Sequence, residues 1–307
     1  MADQTVPLPG IVSPQAKISG GLRQVRHCAC RKSHRCLGFS LVFCSGVSPM
    51  FKRLFVAALL LLHPLGAHAQ AGVSDVLGSI HLDPAFRQDL RDRGFTGERF
   101  NIMVNHTRSL FTDQEIISGL ERRIAAQLEA SEYDPDTVFF LELDKTLNQA
   151  YDVGVTQLRP AERQLMFQVD TGFIRAIPAR DCRRMMSGRM SGERWGALND
   201  AYLVQLSPNV LDGYQAATRK SMRLGLAPNA SPRRLTAQEI RSVEEAILPK
   251  IDTMISQQKD PRAMYDAWRN GDTSGRYACA FSQMFAAAAM SLQDGRRDLA
   301  LRYLMTN

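Results

Sequence analysis

Two carboxylates, Glu142 and Asp144, lie in a stretch of apolar residues that begins at Phe139. Enzymes that hydrolyse glycans usually use two acidic side chains, one as the general acid and the other as the base or nucleophile. Partial burial would raise the pKa of such a carboxyl group towards the pH at which the enzyme works. On a helix, however, residues two apart point about 200° away from each other, so this pair shares a cleft only if the stretch is a strand. The competing interpretation is two solvent-facing acids, with Asp144 paired to Lys145 or Asn148.

The segment Asn270–Gly275 matches the first half of a calcium-binding loop. Oxygen-bearing side chains occupy positions one, three and five, and glycine occupies position six. Position twelve, which should be a bidentate glutamate, is Phe281. A polar turn that caps the next helix explains the segment better, and the sequence therefore predicts no metal and no cofactor.

Residues 70–307 contain only two histidines, His81 and His106. Few histidine-dependent catalytic sites can therefore be built in this part of the sequence. The sequence has no Gly-x-Ser-x-Gly elbow, no His-Glu-x-x-His pair and no phosphate-binding Walker loop. His106 follows Asn105 and precedes Thr107, which predicts a hydrogen-bonded histidine on a helix surface. No catalytic residue is assigned, and the residue pattern favours a protein that is not an enzyme.

Cys182 and Cys279 are the two cysteines that remain beyond residue 69. In an exported protein such a pair predicts a disulfide, with two buried free thiols as the alternative. A closed loop of roughly 100 residues contributes about 4 to 5 kcal/mol to stability in the chain-entropy model. The bridge is predicted to be structural, with Cα atoms within about 7 Å of each other.

A secretory signal peptide is predicted over residues 50–69. Met50 is followed by Lys52 and Arg53, by the nine-residue apolar run Leu54–Leu62 and by the small-x-small site Ala67-His68-Ala69. The run is about half as long as a membrane-spanning helix, so cleavage before Gln70 is expected to leave no stable membrane anchor. The expected location is the periplasm or the extracellular medium.

Residues 1–49 are interpreted as a disordered upstream extension that is not part of the native protein, because a signal peptide normally stands at the N-terminus. They hold four of the six cysteines and show no apolar periodicity. Their cysteine and histidine spacing does not fit a zinc site, which usually needs two matched ligand pairs.

The formal net charge of +7 comes from the first 69 residues. These residues carry eight basic side chains and one acidic one, and their removal leaves 30 of each sign over residues 70–307. General binding to nucleic acid therefore loses its main support. A local basic segment, Arg180 to Arg194, remains and is interpreted as a solvated loop of mixed charge, with a phosphate site as the alternative.

Apolar residues recur at helical spacing through most of residues 70–307. Asp83 and Pro84 predict a helix start, and capping boxes are predicted at Thr112 with Glu115 and at Thr236 with Glu239. Two further helices, Leu198–Leu206 and Val210–Leu224, are predicted to meet at Ser207 and Pro208. The predicted apolar faces of the other helices are Ile116, Leu120, Ile124 and Leu128; Met166, Val169, Phe173 and Ile177; Ile240, Val243, Ile247, Ile251 and Met254; and Phe281, Met284, Phe285, Ala288 and Leu292.

Two breaks, Ser187–Gly192 and Ala227–Pro232, resemble linkers, and Val138–Leu141 is the one stretch that resembles a strand. The latter continues with helical spacing through Leu147, which favours a helix. A Cys182–Cys279 bridge would span both breaks. We therefore expect residues 70–307 to form a single irregular all-α domain with one disulfide.

Two functions from different classes are compatible with these observations. The first is an exported helical protein that binds an unidentified macromolecule of the cell envelope or of the extracellular medium without catalysing a reaction. The alternative is a cell-wall glycan hydrolase that uses Glu142 or Asp144. An exposed apolar patch would favour the binder, and a deep cleft holding Glu142 with another acid would favour the hydrolase.

Overall fold

A computed structural model describes residues 80–128, 135–270 and 276–306. In these ranges the chain forms twelve α-helices and a 3-10 turn at Ile80–Leu82, with no strand, which confirms the all-α prediction. The predicted extension and signal peptide lie outside the described residues. The helices are α1 (Pro84–Asp92), α2 (Gly97–Thr112), α3 (Gln114–Leu128), α4 (Pro135–Val155), α5 (Pro160–Ala176), α6 (Ala179–Met186), α7 (Gly192–Leu203), α8 (Pro208–Leu226), α9 (Ala237–Ser256), α10 (Pro261–Arg269), α11 (Ala278–Met290) and α12 (Asp294–Thr306).

Three of the predicted helix starts are confirmed at the level of individual hydrogen bonds. The Asp83 carboxylate accepts a hydrogen bond from the Ala85 amide at 2.8 Å ahead of α1. Thr236 and Glu239 form the reciprocal box of α9, because the Thr236 hydroxyl accepts from the Glu239 amide and Glu239 accepts from the Thr236 amide. Ser207 caps α8. Each side chain satisfies an amide that has no partner within its helix.

The box predicted at Thr112 is wrong by one residue. Thr112 is the last residue of α2, and its hydroxyl donates back to the Arg108 carbonyl at 2.9 Å. Asp113 caps α3 instead, since its carboxylate accepts from the amides of Glu115 and Ile116 at 2.9 and 3.3 Å. The preceding helix occupies Thr112, which leaves the next residue to adopt the extended cap conformation.

Helices α4 and α8 pack against each other more extensively than any other described pair. Glycines permit the close approach, because a Cβ at Gly154 would lie 1.7 Å from the Ser221 carbonyl oxygen and one at Gly225 would lie 1.8 Å from that of Ala150. The two backbones are therefore in direct contact. Helices α2 and α3 complete this half of the core around α8.

The second half of the core is formed by α9, α11 and α12, and α5 contacts both halves. The side chains predicted to face the core from α5 and α11 are buried, as are those of α9 at Val243, Ile247 and Ile251. One continuous cluster of buried residues runs from Phe86 to Met305. Neither Ser187–Gly192 nor Ala227–Pro232 interrupts this cluster.

Buried arginines connect helices that are far apart in the sequence. Arg93, after α1, donates to both carboxylate oxygens of Asp200 on α7 at 2.8 and 2.7 Å, and both side chains are less than a tenth exposed. Arg163 on α5 donates to the Val155 carbonyl at the end of α4 and to Asp298 on α12. Buried charges of this kind are tolerated when they are paired and hydrogen-bonded.

Burial strongly alters the ionisation of Asp170 on α5. One of its oxygens accepts a hydrogen bond from the Tyr214 hydroxyl at 3.1 Å, and the other is inaccessible and meets no donor among the described residues. Burial raises the pKa of Asp170 to about 7, although the Tyr214 hydrogen bond acts in the opposite direction. Near neutral pH this group therefore exists in both protonation states.

The stretch Val138–Leu141 belongs to α4, so the helical interpretation is confirmed and the strand alternative is wrong. Helices α2, α6, α10 and α12 were not predicted individually, and the loop interpretation of Arg180 to Arg194 is wrong where α6 and α7 occupy it. None of the helices in the described ranges combines the length and apolar character that crossing a bilayer requires.

Candidate functional site

A disulfide joins Cys182 on α6 to Cys279 on α11, as predicted, with the Cα atoms 6.2 Å apart. Cys182 is only 1% exposed. The bridge spans both linker-like breaks and holds the short helix α6 against the C-terminal half of the core. It thereby fixes the orientation of the charged side chains that α6 carries.

Helix α6 divides into a buried face and a basic face. Asp181 and Cys182 are buried, whereas Arg180, Arg183 and Arg184 are exposed. Arg183 and Arg184 lie in the last turn, where the carbonyl end of the helix favours positive charge.

The turn after α6 brings two more arginines to the same region. Gly188 adopts a φ of +68°, a left-handed conformation that glycine tolerates, and the Arg189 amide then donates to the Arg184 carbonyl at 2.8 Å. Ser191 starts α7 by accepting a hydrogen bond from the amide of Arg194. This tight reversal places Arg189 and Arg194 beside the arginines of α6.

Asp181 is neutralised within this region by one arginine. Nε and one Nη of Arg194 lie 3.2 and 2.5 Å from the same carboxylate oxygen. The Arg194 hydrogen bonds lower the pKa of Asp181, and the positive charges of Arg184 and Arg180 lower it further. Asp181 is thus an internal support for Arg194, and it is turned away from solvent.

We define the arginine surface as Arg180, Arg183, Arg184, Arg189 and Arg194. These residues, with Met190 between them, line an open concavity of about 800 Å³. Within the described ranges, no carboxylate lies within ion-pairing distance of the first four. Guanidinium groups bind carboxylates and phosphates through paired hydrogen bonds, so this surface is suited to a ligand with several negative charges.

Glu142 and Asp144 occupy positions about 200° apart on α4, so the helix does not bring the two residues to one face. Both lie on α4, and Glu142 accepts hydrogen bonds from Lys145 at 3.1 Å through both oxygens. Lys145 thus has Glu142 as its partner, whereas the expected partner of Asp144 was Lys145 or Asn148. The side chain of Asp144 lies outside the described residues, and the hydrolase alternative stays a prediction.

The prediction of a surface position for His106 is wrong. This histidine is 6% exposed and lies on the face of α2 that also buries Met103 and Leu110. Its Nδ1 atom lies 3.2 Å from the Arg219 guanidinium. The spacing of Met103, His106 and Leu110 is helical, and this periodicity would have placed His106 inside. His81 lies in the 3-10 turn and is half-buried.

Most of the predicted calcium-like segment, Gly271–Gly275, lies outside the described residues. Asn270 ends α10 through its main-chain amide, and Phe281 is fully buried in the core. Among the residues that the structure does describe, no three His, Cys, Asp or Glu side chains are grouped to hold a metal ion.

The apolar patch that would have indicated a hydrophobic binding surface is not found on the described part of the chain. Leu82, at 66% exposure, is the only large apolar side chain there that is strongly exposed. The arginine surface is the candidate that remains, and the sequence underestimated it because the segment Arg180 to Arg194 was interpreted as a solvated loop of mixed charge. No known protein-family model matches the chain, and no curated protein or solved structure is significantly similar to it.

Proposed function

We propose that this protein is exported and that, without catalysing a reaction, it binds an acidic segment of another protein through the arginine surface. One observation carries the proposal: four exposed arginines line a concavity, and no carboxylate among the described residues lies within ion-pairing distance of them. An acidic segment would supply the carboxylates that the described part of the chain does not place within ion-pairing distance.

The lining favours a protein partner over a nucleic acid. Met190 and the arginine methylene groups provide apolar contact beside the charges, and methionine adapts to varied side chains. The lining of this concavity has no aromatic side chain on which a base could stack. The balance of 30 basic and 30 acidic residues over residues 70–307 also gives no general attraction for polyanions.

Two features support export. Lys52 and Arg53 precede an apolar run and a small-x-small site, and disulfides such as Cys182–Cys279 persist in oxidising compartments. N-terminal sequencing of the exported protein is expected to begin at Gln70 or within about two residues of it. Recovery of residues 1–49 on the exported protein would contradict this part of the proposal.

The binding proposal is tested by fluorescence anisotropy with a labelled peptide in which glutamate alternates with leucine. The variant R183E/R184E reverses two exposed charges of the arginine surface, and we expect it to bind at least about tenfold more weakly, since charge-assisted hydrogen bonds are replaced by repulsion. Affinity is also expected to fall as salt is raised, because the contacts are exposed.

The matched control is R241E/R262E, which makes the same change in net charge at two exposed positions on α9 and α10. It should bind the peptide like the unaltered protein. Equal losses in the two variants would show that net charge alone governs binding and would overturn the proposal. Tighter binding of duplex DNA or polyphosphate than of the peptide would overturn the choice of partner.

A further inference from the structure

A second concavity, separate from the arginine surface, lies between α5 and α8. Its volume is about 540 Å³, within the usual range for small-molecule sites. The apolar part of its lining consists of small residues and one leucine, namely Ala161, Leu165, Gly213, Ala216 and Ala217. We call this concavity the Arg219 groove after the arginine that lines one part of it.

Most charges in the Arg219 groove are already paired. Lys220 donates to both oxygens of Glu162 at 2.9 Å. Arg223 faces Glu115 at 3.4 Å and Asp113 at 3.9 Å. These two cations therefore have their counter-charges within the protein, and they leave little attraction for a ligand with several negative charges.

Arg219 differs from its neighbours on α8. It is half-buried, and its guanidinium meets no carboxylate within ion-pairing distance among the described residues. Burial lowers the pKa of Arg219, and the charge of the exposed Asp212, two turns earlier on α8, only partly offsets this effect. A half-buried guanidinium without a counter-ion is unfavourable, since burying a charge is costly unless it is paired.

The contact between Arg219 and His106 orients the guanidinium without neutralising it. Arginine has only donors, so Nδ1 of His106 accepts and the ring proton must be on Nε2, which makes the ring neutral. Burial above all, together with the positive charge of Arg219, lowers the pKa of His106 to about 3. The histidine therefore stays uncharged at neutral pH and leaves the positive charge of Arg219 uncompensated.

We propose that the Arg219 groove binds a small organic monocarboxylate, with the carboxylate on Arg219 and the apolar part of the ligand over the alanine and glycine floor. Arg219 is the one cation of the lining that has no carboxylate within ion-pairing distance among the described residues, and one such cation matches one negative charge. The other charged groups of the lining are paired with one another, so they add little attraction for the second charge of a phosphate. The apolar floor favours a ligand that carries a hydrocarbon portion beside its carboxylate.

The test uses octanoate as the probe and isothermal titration calorimetry as the readout. Octanoate is expected to bind with one-to-one stoichiometry, and acetate, which lacks the apolar part, and octanol, which lacks the charge, are expected to bind at least about tenfold more weakly. Inorganic phosphate is also expected to bind more weakly than octanoate. Absence of octanoate binding, or tighter binding of phosphate or octanol, would overturn the proposal.

Two variants locate the probe within the protein. R219Q removes the charge and should weaken octanoate binding at least about tenfold, as expected for the loss of a charge-assisted hydrogen bond. A216F fills the groove from an exposed position, so it should block octanoate without disturbing the core. It provides the test if R219Q fails to fold.

The matched control R241Q removes an exposed charge on α9 and should bind octanoate like the unaltered protein. If A216F or a folded R219Q binds octanoate as tightly as R241Q does, the probe lies elsewhere and the proposal is wrong. The peptide-binding experiment on R183E/R184E is independent of this outcome, because the two sites share no residue.

Discussion

Removal of the Cys182–Cys279 bridge should lower the melting temperature of the protein by an amount that its loop length sets. The two cysteines are 97 residues apart, and the chain-entropy model gives about 4.7 kcal/mol for a closed loop of about 100 residues. For a protein of this size each kcal/mol corresponds to about 2–4 °C, so the expected decrease is about 9–19 °C.

Chemical reduction and mutation separate the cross-link from the side chains. Reduction of the unaltered protein breaks the bridge and leaves both sulfurs in place, whereas C182A/C279A also removes a sulfur that is 1% exposed at Cys182. The variant should therefore melt somewhat below the reduced protein, because it adds a small cavity to the loss of the bridge. It should not respond to reductant.

The assay is thermal unfolding followed by circular dichroism, with and without reductant, on protein recovered from the exported fraction. Thiol titration of the denatured, non-reduced protein should find essentially no free thiol. A melting temperature that changes by less than about 3 °C on reduction would refute the loop-length reasoning. About two free thiols per chain would refute the bridge itself.

Three further changes test the interior. The raised pKa of Asp170, about 7, makes the native state lose stability as pH rises from about 4 to 7, by at most about 4 kcal/mol. Asp170→Asn should therefore raise the melting temperature at pH 8 but not at pH 4. The exposed Asp212→Asn is the control. Arg93→Leu should lower the free energy of unfolding, measured in urea, by about 3–5 kcal/mol, because it leaves Asp200 buried without its main partner. The double variant with Asp200→Leu should regain much of the lost stability. Gly225→Ala should destabilise the protein by about 1–3 kcal/mol or prevent folding, because the Cβ of the new alanine would lie 1.8 Å from a carbonyl oxygen of α4. A urea midpoint that does not decrease would contradict the close contact between the helices.

Local features of the fold were predictable because they depend on residues close together in the sequence. The cap at Asp83 and the box at Thr236 each need only a polar side chain within three residues of a free amide, and the apolar spacing of α5 and α11 shows which side is buried. The same locality explains the error at Thr112, since the pattern cannot tell where the preceding helix ends.

Long-range contacts were not predictable from the sequence. Arg93 and Asp200 are 107 residues apart, and no local pattern distinguishes them from other arginines and aspartates. The disulfide is an exception, because only two cysteines remained to be paired. His106 was misplaced because its polarity was given more weight than its position on the apolar face of α2.

The candidate sites depend on the direction in which individual charged side chains point. The sequence of the arginine surface contains acids as well as arginines, and only the structure shows that Asp181 is turned inward to hold Arg194. The Arg219 groove requires in addition that Lys220 reach Glu162 on α5 while no carboxylate in the described ranges lies within ion-pairing distance of Arg219. Residue spacing encodes neither fact.

The backbone contact between α4 and α8 limits which substitutions this protein can accept as it diverges. Ala150 and Gly154 are four residues apart on one helix, and Ser221 and Gly225 are four apart on the other. Each pair presents a small residue on successive turns of the same face. A descendant that enlarges either glycine would have to move a whole helix, so sequence change is expected to avoid these two positions while the solvent-facing residues around them vary freely. Distant relatives should therefore share the two glycines, together with two cysteines about 100 residues apart, even where little else aligns.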